Sequence, residues 1–161
     1  MKIFKGLKMS FSIKLLLIIL FNFFIQKIYT IDIPKDLIVK IIKESENEDY
    51  TRSENSDLIH VKYTGWIFNS NATTNNYCDA KGKMFDSNIV DKFKHTDPFR
   101  FILGQGIVIK GWDLGLQNMR INEQRCLIIP PNFAYGNRRI GDIIKPNSTL
   151  IFEVELLKIE K

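Results

Sequence analysis

Several chemistries are excluded by what this chain has little of. Its 161 residues include only two histidines, His60 and His95, and two cysteines, Cys78 and Cys126. Nowhere do His, Cys and carboxylates gather at ligand spacing, so no metal centre is expected. Neither histidine accompanies a Ser or Cys in a recognisable nucleophile motif, and no glycine-rich phosphate loop occurs, so neither covalent catalysis nor a bound cofactor is expected. His60 alternates with inward positions of a predicted strand and reads as an exposed strand histidine. The cysteines fit neither a zinc site nor a CxxC redox motif. In an oxidising compartment their even count permits one disulfide; two separate thiols are the alternative. The apolar run at residues 15–25 falls well short of the roughly 20 residues that cross a bilayer, so no stable membrane span is expected.

An excess of one charge is also missing once its location is considered. The chain holds 23 Lys plus Arg against 18 Asp plus Glu. Lys2, Lys5, Lys8, Lys14 and Lys27 lie in residues 1–30, which contain no acid, so residues 31–161 balance at 18 of each sign. A nucleic-acid binder needs a basic surplus to neutralise phosphates, and the remaining chain has none. The lysines followed by a short apolar run read as a secretory signal peptide over residues 1–30, with Ile28-Tyr29-Thr30 as an imperfect cleavage site. The expected location is therefore the secretory pathway, either the endoplasmic reticulum lumen or outside the cell. Two N-glycosylation sequons agree with it, Asn71-Ala72-Thr73 and Asn147-Ser148-Thr149. Asn71 is the better acceptor, because it lies in a polar, Asn-rich stretch whereas Asn147 sits where the final strand begins.

What is present is a β-rich pattern. Residues 31–43 alternate loosely, with Leu37, Val39 and Ile41 on one face, and a polar, acidic connection follows over 44–56. Residues 58–66 place Ile59, Val61 and Tyr63 on one face and His60 and Lys62 on the other. Residues 68–83, rich in Asn and Thr, read as a long exposed hairpin connection. Residues 98–103 alternate again, with Phe99, Phe101 and Leu103 together, before Gly104 and Gly106 break the strand. Residues 111–119 suit a short helix with Trp112, Leu116 and Met119 on one face, weakened by Gly115. Residues 124–129 form a strand stopped by Pro130 and Pro131. Residues 150–156 close the chain as a strand with Leu150, Phe152, Val154 and Leu156 inward. The fold class is α+β: an antiparallel sheet of about five strands half-wrapped around one short helix.

Six blocks in order carry more than their composition: Val61-Lys62-Tyr63-Thr64-Gly65; Lys83-Met84-Phe85-Asp86-Ser87; Pro98-Phe99-Arg100-Phe101; GQGIVIKGWD over 104–113; Ile129-Pro130-Pro131-Asn132-Phe133-Ala134-Tyr135-Gly136; and TLIFEVELLKI over 149–159. Together they resemble the FKBP-type peptidyl-prolyl cis/trans isomerases, most closely the small secretory-pathway members, over residues 57–161. An N-terminal strand and polar loop, residues 31–56, would precede this domain. The resemblance implies an apolar pocket for a proline ring. Trp112 would form its floor and Tyr63, Phe85, Phe99, Val108, Ile109 and Phe152 its walls, with Ile144 over it. Tyr63, Asp86 and Tyr135 would be the catalytic polar groups, Tyr135 donating to a substrate carbonyl and Asp86 sitting at the rim near Tyr63. The implied partners are unfolded or nascent proline-containing polypeptides and the macrolides rapamycin and tacrolimus, bound by a monomer.

The chain departs from the family pattern in places. The connection between Tyr63 and Phe85 is about a dozen residues longer than usual, and residues 88–97 are also lengthened. Lys92 and Lys94 are candidates for the basic partner of the rim aspartate. Residues 137–142 lack the usual Pro-rich pattern. Secretory relatives often carry a disulfide near the positions of Tyr50 and Arg120, where this chain has no cysteine. Two other readings stand beside an active isomerase: a binding or chaperone-like module with little turnover, and a secreted structural domain with a filled core, in which Trp112 would be inaccessible.

Overall fold

The computed structural model describes residues 31–161 together with Ser12 and Lys14–Leu16. The signal peptide expected over residues 1–30 thus lies outside the described residues, those four positions aside. Within residues 31–161, three 3-10 turns aside, the elements are six strands and one short α-helix: β1 (Ile38–Lys43), β2 (Leu58–Phe68), β3 (Lys81–Ser87), β4 (Phe99–Ile102), α1 (Lys110–Gly115), β5 (Gln124–Ile129) and β6 (Leu150–Glu160). All pair antiparallel in the order β1-β5-β6-β2-β3, and β4 pairs with β2 beside β3. Strand β2 is long enough to serve two partners. Its first half, from Leu58 to Val61, faces β4, and its second half, from Thr64 to Phe68, faces β3.

The two half-partners leave a break in the ladder near Tyr63, and a buried side chain fills it. Asn88 accepts from the Tyr63 N–H (2.7 Å) and donates to the Val61 and Asp97 carbonyls (both 3.0 Å). An unpaired buried backbone group costs roughly 1–3 kcal/mol, so a polar side chain suits this position.

Side-chain alternation divides the core in two. Leu127 and Ile129 of β5 and Leu150, Phe152, Val154 and Leu156 of β6 face α1, with Ile59, Val61, Tyr63, Trp112, Leu116 and Met119. Cys126, Ile128 and Ile151 face the other way, against Ile31, Phe68, Cys78 and Ala80. The second core corrects the expectation of an exposed connection after Phe68. That segment folds back over the sheet: Asn69 donates to the Ala80 carbonyl (2.8 Å), the Phe68 and Tyr77 rings lie 6.2 Å apart, and Cys78 is joined to Cys126 with Cα atoms 6.1 Å apart. Its polar residues Asn71, Thr73 and Asn75 face solvent, while Ala80 is fully buried.

Two further expectations need correction. The expected inner face of the first strand is not inner beyond Leu37: Val39 and Ile41 are exposed, because β1 is an edge strand with β5 alone beside it. His60 is half-buried rather than exposed, its Nε2 lying 2.7 Å from Glu160 across the β2–β6 pairing.

Helix α1 is shorter than the sequence predicts and ends at Gly115, although Leu116 and Met119 stay fully buried. Arg125 ends it. The guanidinium donates to the Gly115 (2.9 Å), Gln117 (2.7 Å) and Asn118 (3.0 Å) carbonyls, and Nε pairs with the buried Glu123 at 2.6 Å. The Gly115 carbonyl is one that a helix leaves orphaned at its C-terminal end, and those of Gln117 and Asn118 belong to the turn that follows. Gly111 and Gly115 let α1 lie directly on β5. A Cβ on Gly111 would sit 2.5 Å from Ile129 and one on Gly115 2.9 Å from Leu127.

Replacing both bridged cysteines, Cys78→Ser with Cys126→Ser, should lower unfolding stability by about 2–4 kcal/mol, since the bridge closes a long loop. Urea denaturation of oxidised wild type and the double variant measures this. Coincident curves would mean that the bridge contributes nothing.

Candidate functional site

The site begins with the two turns that precede α1. Gly104 and Gly106 adopt left-handed φ values of 77° and 68°, which favour glycine. Their N–H groups donate to the two carboxylate oxygens of Asp113, each at 2.9 Å. A single helix carboxylate thus folds residues 104–109 back toward the start of α1. Val108 and Ile109 are thereby carried to the wall of a cavity of about 630 Å³.

Trp112 forms the base of that cavity. Its ring meets Tyr63 and Phe152 edge-on, with centroids 5.2 Å away in both cases, and Phe101 and Phe99 at 5.7 and 6.0 Å. Edge-to-face aromatic packing of this kind fixes ring orientation as well as burying area. Phe85 stands against Phe152 at 5.5 Å. The cavity wall holds Tyr63, Phe85, Asp86, Phe99, Val108, Ile109, Trp112, Tyr135 and Phe152. Of the residues singled out from sequence, only Ile144 lies apart. It is buried at an adjoining hollow of about 270 Å³, shared with Phe85, Asp86 and Tyr135. Trp112 is 4% exposed and lines this cavity, an open hollow that a filled core would not leave.

Hydrogen-bonding capacity in this cavity is unspent. The Trp112 indole N–H is buried without a partner. Among the described residues neither the Ile109 N–H nor the Tyr135 hydroxyl has an intramolecular partner. An apolar wall with a few convergent polar groups is the usual composition of a ligand site. The Tyr63 hydroxyl, by contrast, is engaged and donates to Asp86 Oδ2 at 2.6 Å.

Asp86 is held from three sides. Besides Tyr63, the Ser87 N–H and His95 Nε2 reach its Oδ1, each at 2.9 Å. The partner of the rim aspartate is therefore His95. Lys94 takes a left-handed backbone conformation, and Lys92 lies over the Phe93 ring at 4.8 Å. Sequence reasoning treated His95 as one of two isolated histidines. The available signal was its place in the long connection after Asp86, which returns toward β2. Lys110 and Arg138 also line the cavity and were not singled out.

Burial raises the ionisation range of both cavity tyrosines. For Tyr63 the hydrogen bond and charge of Asp86 add to burial; for Tyr135 the Asp86 charge adds and Arg138 opposes. Both hydroxyls therefore remain protonated donors through neutral and moderately alkaline pH.

Elsewhere, Tyr50 and Arg120, where secretory relatives often place a disulfide, meet with the Arg120 guanidinium 4.5 Å from the Tyr50 ring centroid. The acceptors of both sequons, Asn71 and Asn147, are exposed.

Comparison with known proteins agrees with this geometry. The profile of the family described as FKBP-type peptidyl-prolyl cis-trans isomerase matches residues 49–157. The chain is 39% identical to FK506-binding protein 1A of Neurospora crassa over 122 residues, 76% of this chain and 88% of that protein. It is 38% identical to FK506-binding protein 1 of Saccharomyces cerevisiae over 121 residues, 75% of this chain and 92% of that protein. FK506-binding protein 2B of Rhizopus delemar is 39% identical over 79% of this chain, and the match spans 54% of that relative's length.

The raised tyrosine ionisation has a consequence for stability. Above the ordinary tyrosine value of about 10, the unfolded chain loses protons that folded Tyr63 keeps, so the unfolded state binds fewer protons and stability falls as pH rises. Each such tyrosine contributes a slope of up to about 1.4 kcal/mol per pH unit. Denaturation midpoints between pH 9 and 11 should fall less steeply for Tyr63→Phe than for wild type. Parallel slopes would contradict this placement of the Tyr63 hydroxyl.

Proposed function

Because the chain belongs to the FKBP-type peptidyl-prolyl cis-trans isomerase family, we propose that it rotates X–Pro bonds in the cavity over Trp112 and assists folding of secretory proteins. The observation that carries this reading is one aromatic hollow floored by Trp112, with two unspent donors at its wall, the Ile109 N–H and the Tyr135 hydroxyl.

Rotation about a peptide bond meets a barrier of about 18–20 kcal/mol, because the twisted amide loses resonance. The planar amide carries charge on its carbonyl oxygen, which water stabilises and an aromatic cavity does not. Entry of a proline ring onto Trp112, between Phe99, Phe152 and Tyr63, removes that solvent from the planar form. Donors fixed before the substrate arrives can favour the twisted geometry without reorganising. The Tyr135 hydroxyl is free for a substrate carbonyl, and the Ile109 N–H can hold a second carbonyl of the same chain. Asp86 at the rim fixes the Tyr63 hydroxyl, so that Tyr63 presents its ring as a wall. Rotation makes and breaks no covalent bond, so no nucleophile or metal is needed.

The proposed substrates are unfolded or nascent proline-containing polypeptides, and tacrolimus and rapamycin should occupy the same cavity. The lysine-rich, acid-free first 30 residues, the apolar run within them and the Cys78–Cys126 bridge support a secretory location. N-terminal sequencing of material from secreting cells should find a mature chain beginning near Ile31; a chain beginning at Met1 would contradict this.

A protease-coupled assay on the oxidised protein, with a peptide carrying an apolar residue before proline, should show catalysed isomerisation that tacrolimus abolishes. Tyr135→Phe should weaken inhibitor binding by about 0.5–1.5 kcal/mol, the usual net contribution of one neutral hydrogen bond. Asp86→Ala should lower turnover more than stability. Inhibitor binding without turnover would favour a chaperone-like binding module. A folded protein with neither would overturn the assignment of the cavity.

A further inference from the structure

We infer that His95 is a positioning residue of this site, one that sets the rim aspartate, and through it Tyr63, according to its own protonation state. The inference rests on the isomerase reading for its effect on turnover, but the contact itself is independent of that reading.

Three observations place His95 there by construction rather than by chance proximity. First, both ends of its loop are fixed to β2 by one buried side chain: Asn88 is 1% exposed and holds the Val61 carbonyl, the Tyr63 N–H and the Asp97 carbonyl. The return of the chain at Asp97 to the level of Tyr63 brings His95, two residues earlier, beside Asp86. Second, the loop has internal structure up to the histidine. Ser87 Oγ accepts from the Ile89 and Val90 N–H groups, a 3-10 turn spans Asp91–Phe93, and Lys94 ends it in the left-handed conformation. Third, His95 completes a chain of contacts into the cavity. Its Nε2 lies 2.9 Å from Asp86 Oδ1, and Asp86 Oδ2 accepts from Tyr63 at 2.6 Å. The Tyr63 ring stands edge-on to Trp112 at 5.2 Å.

An imidazolium is a charge-assisted donor to a carboxylate, whereas neutral imidazole must hold one of its two tautomers to donate from Nε2, and then donates more weakly. Protonated His95 therefore fixes the Asp86 carboxylate more firmly, and deprotonation loosens it. Other ionisable groups that share a hollow with the aspartate are Tyr63 from β2, Lys110 from α1, and Tyr135, Arg138 and Asp142 from the β5–β6 connection, while Asp91, Lys92, Lys94 and Asp97 lie on the histidine's own loop. Among the described residues only His95 forms an ion pair with Asp86. Histidine is also the only residue type in that group whose ordinary ionisation lies between pH 5 and 8. The charge-assisted form of the contact is therefore favoured toward acid pH and the weaker, neutral form toward alkaline pH. The pair is partly exposed, so the expected effect is small.

The test is kcat/KM on a proline peptide from pH 5.5 to 8 for the wild-type protein, His95→Arg and His95→Ala. Wild type should fall about two- to fivefold with rising pH. The arginine variant should stay level at the acid value, and the alanine variant level at the alkaline value. A merely structural histidine would lower all pH values alike and would not be rescued by arginine. Flat, superimposable profiles for wild type and H95A would overturn the inference. Failure of the isomerase reading is distinguishable, because it removes turnover from every variant. In that case the Asp86 carboxyl carbon shift, followed by NMR, reads the contact directly. It should step between pH 5.5 and 8 in wild type and not in H95A, and a featureless trace in wild type would overturn the pairing itself.

Discussion

The pocket depends on one contact, that of a six-residue helix lying flat on β5. Isolated helices of this length do not form in water, since nucleation outweighs the few hydrogen bonds gained. Here the fold supplies what the helix lacks. Gly111 and Gly115 remove the side chains that would hold α1 off Ile129 and Leu127. Arg125, paired with Glu123, takes the carbonyls at its end, and Asp113 gathers the backbone before its start. Trp112 is consequently fixed in height and tilt, and the aromatic walls pack edge-on to it. Any substitution that lifts α1 by a methyl group moves the floor of the pocket before it touches a wall.

The arrangement also explains why so much hydrogen-bonding capacity is left free. Each buried polar group left unpaired costs roughly 1–3 kcal/mol, so an orphan indole N–H at Trp112 is a standing cost to stability. The bridged second core and the Glu123–Arg125 pair are stabilising features away from the cavity that offset such costs, and Asn88 fills the ladder break beside Tyr63.

Much of this was legible in the sequence, for physical reasons that differ by element. Strand β5 was read at its observed limits, because two prolines stop it and its residues are apolar on both faces. The inward faces of β2 and β6 followed from period-2 alternation. Strand β3 was missed, since Lys81-Gly82-Lys83-Met84-Phe85-Asp86-Ser87 has no apolar alternation; it is held by pairing with β2 and not by burial of its own face. The family resemblance supplied the pocket residues: all nine expected to shape its floor and walls or to carry its polar chemistry line the cavity, and only Ile144, expected over it, sits at the adjoining hollow. The role of the inserted segment after Phe68 was not legible. Its composition is that of an exposed loop, and only the positions of Cys78 and Ala80 against the back of the sheet show that it covers a second core. His95 was hidden for a similar reason: its partner lies nine residues back, across a loop whose closure depends on Asn88.

The central claim is that a proline-bearing chain lies on Trp112 and turns there. Exchange NMR on a proline peptide, with oxidised protein at catalytic concentration, tests this most directly. The account predicts cis–trans exchange cross-peaks that appear on adding the protein, together with a shift of the Trp112 indole N–H resonance. Peptide binding that leaves that resonance unmoved, or exchange no faster than in free solution, would contradict it.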